Sequence, residues 1–375
     1  MRRFIVIILQ FILTLVFLGS VIKLNLLPNK YIITLSLVWL AILAVTFFTQ
    51  LSGRWVKTGK VISLIACVIS VMGAGYFLKV QSILPSPCSG GCEVNAPGVL
   101  TKETKITKAV LNEEKKNISK EAFIIYISGL ESYDEITPES QSDINIIAVV
   151  NPLTRQILLT TTPNDYYLKV PVIKSKKPHV VNDKMDQAAT YGFESSIKAI
   201  QSLYDVQINY YVRVNHTTLM ELVDALHGIQ VNSKLAFKVG DYEFVKGNNK
   251  LDGKETVMFM QGDKDSRIND LLILNAINEK VSSPSIIKNG FSVMECISEN
   301  VQTNFSKSEL VELAKLKMTF GKQWKTIINS VNGTMKMEIT NSKNSKEEVR
   351  VPDKKSLEDA KVDIQKVLGN EVLTR

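Results

Sequence analysis

Three continuous apolar stretches open the chain, Phe4–Val21, Tyr31–Thr49 and Val61–Leu78, and the first 80 residues contain no Asp or Glu. Each stretch approaches the ~20 residues that a helix needs to cross the ~30 Å hydrocarbon core of a bilayer. The pattern predicts three membrane-spanning helices, with residues 1–80 as an anchor. A cleaved signal peptide does not fit the first stretch, because no small-residue cleavage site follows it and two further spans come directly after.

Beyond Lys79 the pattern changes. Residues 81–120 are broken by Pro85, Pro87, Gly90, Gly91, Pro97 and Gly98 and then run into a Lys/Glu-rich stretch, which reads as a linker or stalk. From 121 to 375 short apolar runs alternate with helical spacing. Ala122–Ser128, Ile144–Asn151 and Gln156–Thr162 read as strands, and Asn151, Pro152 and Leu153 signal a hairpin turn between the last two. Tyr191–Tyr204 puts Phe193, Ile197, Ile200 and Leu203 on one side of a helix. Tyr210–Val214 is a strand, Thr217–Leu226 a helix stopped by Gly228, and 271–282 another helix. Asn341–Glu348 is polar and reads as a loop, and Lys354–Leu368 as a closing helix. Strands interleaved with helices predict an α/β domain, with helices on both faces of a sheet.

Charge adds orientation. Arg2 and Arg3 precede the first span, and Arg54, Lys57 and Lys60 lie between the second and third. Short loops rich in Lys and Arg stay cytoplasmic, although Lys23 and Lys30 beside the 24–30 loop weaken the asymmetry. This predicts a multi-pass protein of the plasma membrane with a cytoplasmic N-terminus and an extracellular main domain. The formal charge of +8 belongs to the anchor, whose eight Lys and Arg face no acids; the rest of the chain has as many bases as acids. Composition therefore gives no nucleic-acid footprint. Cys88 and Cys92 suit a local disulfide in the linker, Cys67 lies in the third span, and Cys296 is too far away in sequence to build a zinc site with them.

Three loops at strand ends collect polar residues: Glu131 to Asp134, Gln141 to Asn145, and Thr161 to Asp165. Strand ends of open α/β sheets are where ligands bind, and carboxylates there suit Mg²⁺. The same residue types also form turns. No Gly-x-Ser-x-Gly, Walker loop or His-Glu-x-x-His occurs, and His179, His216 and His227 are scattered, each reading as a surface or core histidine.

The blocks YISGLES (126–132), SDINIIAVVNPLTRQILLTTTPNDYYL (142–168), YGFESSIKAI (191–200), NYYVRVNHTTLMELVDALHGIQV (209–231) and KGNNKLDGKETVMF (246–259) occur in a specific order and spacing. Through them, residues 123 to about 277 resemble the LytR–CpsA–Psr family of cell-envelope proteins, and the three-span anchor resembles its capsule-associated branch. The resemblance implies an α/β core with a mixed central sheet and an apolar lipid groove. It implies transfer of a polyprenyl-pyrophosphate-linked glycopolymer, of capsule or teichoic-acid type, to peptidoglycan in a Gram-positive envelope. On that basis Asp143 and Arg267 would be catalytic, Asp143 and Glu131 would hold Mg²⁺, and Asn164, Asp165 and Gln261 would contact substrate.

The chain also departs from the family pattern. Glu131 replaces an Asp, and Gln141, Asn164, Gln261 and Asp263 stand where arginines are expected, leaving Arg267. A pyrophosphate in transit needs cationic groups, and Arg155, Lys184, Lys198, Arg213 and Lys264 are candidate substitutes. Two readings stay open: a transferase, and a relative that binds polyprenyl lipid or scaffolds glycopolymer assembly without transfer.

Overall fold

The computed structural model describes residues 2–24, 27–52, 55–83, 111, 116–173, 175, 177–262, 266–281, 293, 301–320 and 323–374. The chain divides into two compact units, residues 1–92 with 307–319, and residues 93–306 with 320–375. Most of the linker, with Cys88 and Cys92, and also Cys296 fall outside the described residues.

In the first unit, α1 (Arg2–Leu24), α2 (Asn29–Leu51) and α3 (Val56–Ile83) are each long and apolar enough to cross a membrane. They run a few residues beyond the apolar windows at both ends, because helical hydrogen bonding does not stop where hydropathy does. Phe17, Val21, Trp39, Ala66 and Ala74 form the seam between them, with Phe17 edge-on to Trp39 at 5.6 Å. A Cβ at Gly73 would lie 2.4 Å from the Phe17 ring, so this glycine permits the close approach of α1 and α3.

The second unit is built on a six-stranded sheet. Its strands are β1 (Phe123–Leu130), β2 (Ile144–Asn151), β3 (Gln156–Thr162), β6 (Tyr210–Asn215), β11 (Gln302–Thr303) and β12 (Lys325–Ser330), in the order β11-β6-β1-β2-β3-β12. Neighbours β1–β2, β2–β3 and β6–β11 are antiparallel, while β1–β6 and β3–β12 are parallel, so the sheet is mixed. The central strands are almost wholly buried, which explains their continuous apolar reading.

One face carries Ile124, Tyr126, Ile147, Val149, Leu158 and Ile327. They pack against Phe193, Ile197 and Ile200 of α4 (Phe193–Tyr204) and Ala360, Ile364 and Val367 of α8 (Lys354–Leu368). On the other face, Asn278 of α7 (Ser266–Val281) donates to Thr326 of β12. A second apolar cluster joins α5 (His216–Ala225), α6 (Gly253–Met260) and α7 to β7 (Ile229–Ser233) and β10 (Gly247–Leu251). A short hairpin, β8 (Phe237–Val239) and β9 (Tyr242–Phe244), lies between β7 and β10 in the chain. Gly228 ends α5 as anticipated, with φ 81° and its N–H on Val223 O.

One expectation is overturned. Residues 341–348 are not all loop: β13 (Gly333–Thr340) and β14 (Ser345–Pro352) form a hairpin with its turn at 341–344. The hairpin is largely solvent-facing, so it lacks the apolar run by which a buried strand announces itself. The remaining hairpin, β4 (Tyr167–Val172) with β5 (His179–Lys184), leads into a 3₁₀ helix, Met185–Tyr191.

Candidate functional site

The register brings the C-terminal ends of β1, β3 and β6 and the start of β2 to one edge of the sheet. The 131–134, 140–143 and 163–166 loops and the start of α5 therefore meet there. The Asp143 N–H donates to Gly129 O at 3.0 Å, and the Glu131 N–H donates to Asp143 Oδ2 at 2.9 Å. The two loops are thus tied through the carboxylate that the sequence singles out. Burial, and after it the Asp143 charge, push the Glu131 carboxyl above the usual glutamate range.

A buried polar network fixes this loop from below. Tyr126 OH donates to Asn145 Oδ1 at 2.6 Å, Asn145 Nδ2 donates to Ser142 O at 2.8 Å, and the Ser128 and Ser142 hydroxyls are 2.8 Å apart. Burial holds the Tyr126 phenol neutral, pushed up to about 12. Arg213, also buried, donates to Ser140 O at 3.2 Å and to Gln302 Oε1 at 3.2 Å, and lies over the Phe193 ring at 4.3 Å. It supports the loop carrying Asp143 from within.

Asn164 and Asp165 lie in the 163–166 loop at this same edge. Asn164 is exposed, and its carbonyl accepts the Asp186 N–H at 2.9 Å. The Asp165 carboxylate is occupied by Arg350, with Nε–Oδ1 at 3.0 Å and Nη2–Oδ2 at 3.1 Å. Gln261 is exposed at the C-cap of α6. Arg267 falls in the first turn of α7, with its side chain outside the described residues, as are Asp263 and Lys264. Among the substitute bases, Lys184 draws the Asp186 carboxyl down and lies 3.7 Å from Glu347. Arg155 sits at the opposite end of β3, over Phe320 and bonded to Gln323. Gln141 donates to Gln187 at 3.1 Å.

Two residues join the site that the sequence did not suggest. Asp186 has a buried Oδ1 with no hydrogen bond to any described residue, and burial raises its carboxyl, with Asp143 adding to the effect against Lys184 and the Gln187 hydrogen bonds. His216 is 5% exposed at the start of α5, and the Asp143 charge reaches its ring. Neither belongs to a local pattern; only the meeting of three loops shows them.

Comparison with known proteins gives the arrangement a family. The LytR_cpsA_psr family model matches residues 97–366. A polyisoprenyl-teichoic acid–peptidoglycan teichoic acid transferase TagU of Enterococcus faecalis is 28% identical over 214 residues, covering 54% of this chain and 69% of that protein. The crystal structure of Bacillus subtilis TagV superposes with a TM-score of 0.56 at 22% identity, over 68% of this chain and 99% of that one. The LytR-CPS2A-psr family protein YwtF (TagT) with bound octaprenyl pyrophosphate superposes with a TM-score of 0.52 at 18% identity, over 69% and 95%. With a mixed sheet flanked by helices, three membrane-length helices ahead of it and a family match over most of its length, this chain belongs to the LytR_cpsA_psr family.

Proposed function

We propose that this protein is a membrane-anchored transferase that moves a glycopolymer from a polyprenyl pyrophosphate carrier to peptidoglycan, with Asp143 at the centre of its site. The observation that carries the reading is the Glu131–Asp143 clamp, which holds two carboxylates at the sheet edge within electrostatic reach of each other. The TagU relative is named for this transfer, and YwtF binds an octaprenyl pyrophosphate. Arg2, Arg3, Arg54, Lys57 and Lys60 favour a cytoplasmic N-terminus, and three spans then leave the α/β domain outside.

The donor set suits a hard divalent cation. No group of three or more His, Cys, Asp or Glu arranged for a metal occurs among the described residues, but Mg²⁺ is commonly held by one or two carboxylates plus substrate phosphate. Asp143 and Glu131 would be those carboxylates; the Glu131 carboxyl is raised first by burial and then by the Asp143 charge, and a cation would relieve the second. Bound there, Mg²⁺ would neutralise charge on the pyrophosphate. The protein's own part is positional. The Tyr126–Asn145–Ser142 network and Arg213 hold the 140–143 loop, and Glu131 N–H aims the Asp143 carboxylate. In this reading an acceptor hydroxyl attacks the glycopolymer-bearing phosphorus, and the bond to the polyprenyl phosphate breaks.

A second reading, lipid binding without transfer, is favoured by the acidic edge. Glu131, Asp143 and Asp186 gather there, while Gln141 and Asn164 supply no charge. Binding of polyprenyl pyrophosphate to the full chain in nanodiscs, with and without Mg²⁺, for wild type and Asp143→Ala, separates the two. Binding that needs both Mg²⁺ and Asp143, with polyprenyl phosphate released when peptidoglycan is added to the protein loaded with a polyprenyl-pyrophosphate-linked saccharide, supports transfer. Binding indifferent to both supports the second reading, and no binding defeats both.

A further inference from the structure

The anchor carries a feature that crossing a membrane does not by itself require. Between α1 and α2 runs a groove of about 440 Å³ lined only by apolar side chains, with Ile7, Ile8 and Phe11 on one wall and Leu43 and Phe47 on the other. Ala44, also in the lining, adds little bulk. The Phe11 and Phe47 rings are half exposed, so the groove opens outward from the bundle, away from the seam around Phe17 and Trp39. In a bilayer it is filled by hydrocarbon, because an empty groove forfeits dispersion contacts along its whole lining.

Position along the helices says which hydrocarbon. At about 1.5 Å per residue, Ile7 lies roughly 7.5 Å from Arg2, whereas Phe11 lies roughly 18 Å from Lys23. One leaflet supplies about 15 Å of chain, half of the hydrocarbon core. A lipid in the groove therefore has its headgroup at the end of the bundle where α1 begins, α2 ends and α3 begins.

That end is basic. α1 starts with Arg2 and Arg3, and Lys57 and Lys60 are exposed near the start of α3. A side chain at Gly59 would strike the Thr49 hydroxyl, so the two lysines flank the place where α3 meets the end of α2, beside the groove residue Phe48. The first 80 residues contain no Asp or Glu to neutralise them. An apolar groove that ends at bases without acids is complementary to a lipid with an anionic headgroup. A second copy of this helix pair would instead bring like charges together.

We propose that the α1–α2 groove is a binding site for an anionic phospholipid, with an acyl chain along Ile7, Phe11 and Phe47 and the phosphate at the end that carries Arg2, Arg3, Lys57 and Lys60. The assignment does not depend on the transferase reading.

In the test, the full-length protein in detergent is titrated with phosphatidylglycerol or phosphatidylcholine, and bound lipid is counted by native mass spectrometry. Wild type is expected to bind one phosphatidylglycerol at least about tenfold more tightly than phosphatidylcholine. Ala44→Trp fills the groove from its exposed side and should abolish that binding, while Val68→Trp, on the exposed surface of α3, should leave it unchanged. Lys57→Gln with Lys60→Gln should weaken it by about fivefold for each lysine lost, with Arg2, Arg3 and Arg54 retained to hold the topology. Equal affinity for the two lipids, unchanged binding by Ala44→Trp, or an equal loss in Val68→Trp would overturn the proposal. So would a dimer that Ala44→Trp disrupts, which would give the groove to a second copy. Displacement of phosphatidylglycerol by an equimolar amount of polyprenyl pyrophosphate would give it to the carrier lipid and also overturn the proposal. Should Ala44→Trp fail to assemble, the lysine pair decides alone, since undiminished binding there would refute the basic end as the headgroup site.

Discussion

Asp165→Ala is expected to destabilise the protein and to leave polyprenyl pyrophosphate binding intact. Its carboxylate receives two bonds from the Arg350 guanidinium, at 3.0 and 3.1 Å, and its carbonyl takes the Arg350 N–H at 2.8 Å. Both side chains are 26% exposed. A fully exposed pair contributes up to about 1 kcal/mol, whereas breaking a fully buried one costs about 3–5 kcal/mol because the survivor is stranded. With bidentate geometry and three-quarters burial, the truncation should cost about 2 kcal/mol. For a domain of this size that is about 4–8 °C in thermal midpoint. Thermal unfolding of the full chain in detergent measures it. A double-mutant cycle with Arg350→Ala should return most of the loss as coupling, because the two truncations remove the same contact. An unchanged midpoint combined with lost polyprenyl pyrophosphate binding would refute the reasoning and restore Asp165 as a substrate contact.

Asn145→Ala strands Tyr126 OH and Ser142 O in the core, so it should cost about 2–3 kcal/mol in unfolding and weaken any Mg²⁺-dependent binding at Asp143; a stable variant with full binding would show that the network does not hold the loop. Glu131 is raised in the folded state, so its ionised form weakens the fold above that window and the penalty fades as pH falls through it. Glu131→Gln should therefore raise the thermal midpoint near pH 7 without divalent cations and have little effect near pH 4; the same shift at both pH values would contradict this. Gly73→Leu drives a side chain into Phe17, so cysteine cross-linking between α1 and α3 should fall sharply; unchanged cross-linking would mean that the helices do not meet there.

Much of this was legible along the chain. The spans were visible because a bilayer imposes about 20 apolar residues on any helix that crosses it. β1, β2 and β3 were visible because both faces of the sheet are covered and their apolar runs are unbroken. Strand ends drew attention to the loops carrying Asp143 and Glu131, the family resemblance singled out the two carboxylates, and the structure ties their loops together. The β13–β14 hairpin was not visible, since strands facing water carry no continuous apolar signal.

The tertiary structure decided what each polar residue does. Asp165 looked like a ligand contact, yet its partner Arg350 lies 185 residues away on β14. Asp186 and His216 sat in unremarkable sequence and became site residues only because a 3₁₀ helix and the start of α5 arrive at the same edge of the sheet. Arg213 was one of several candidate cations until the register of β6 against β1 set it beneath the Asp143 loop, while Arg155 went to the far end of β3. Periodicity is a local property, so the sequence specified the anchor and the strands, while the two carboxylates came from the family resemblance. A hydrogen bond or an ion pair depends on which distant segments the fold brings within about 3 Å, and no spacing along the chain encodes that.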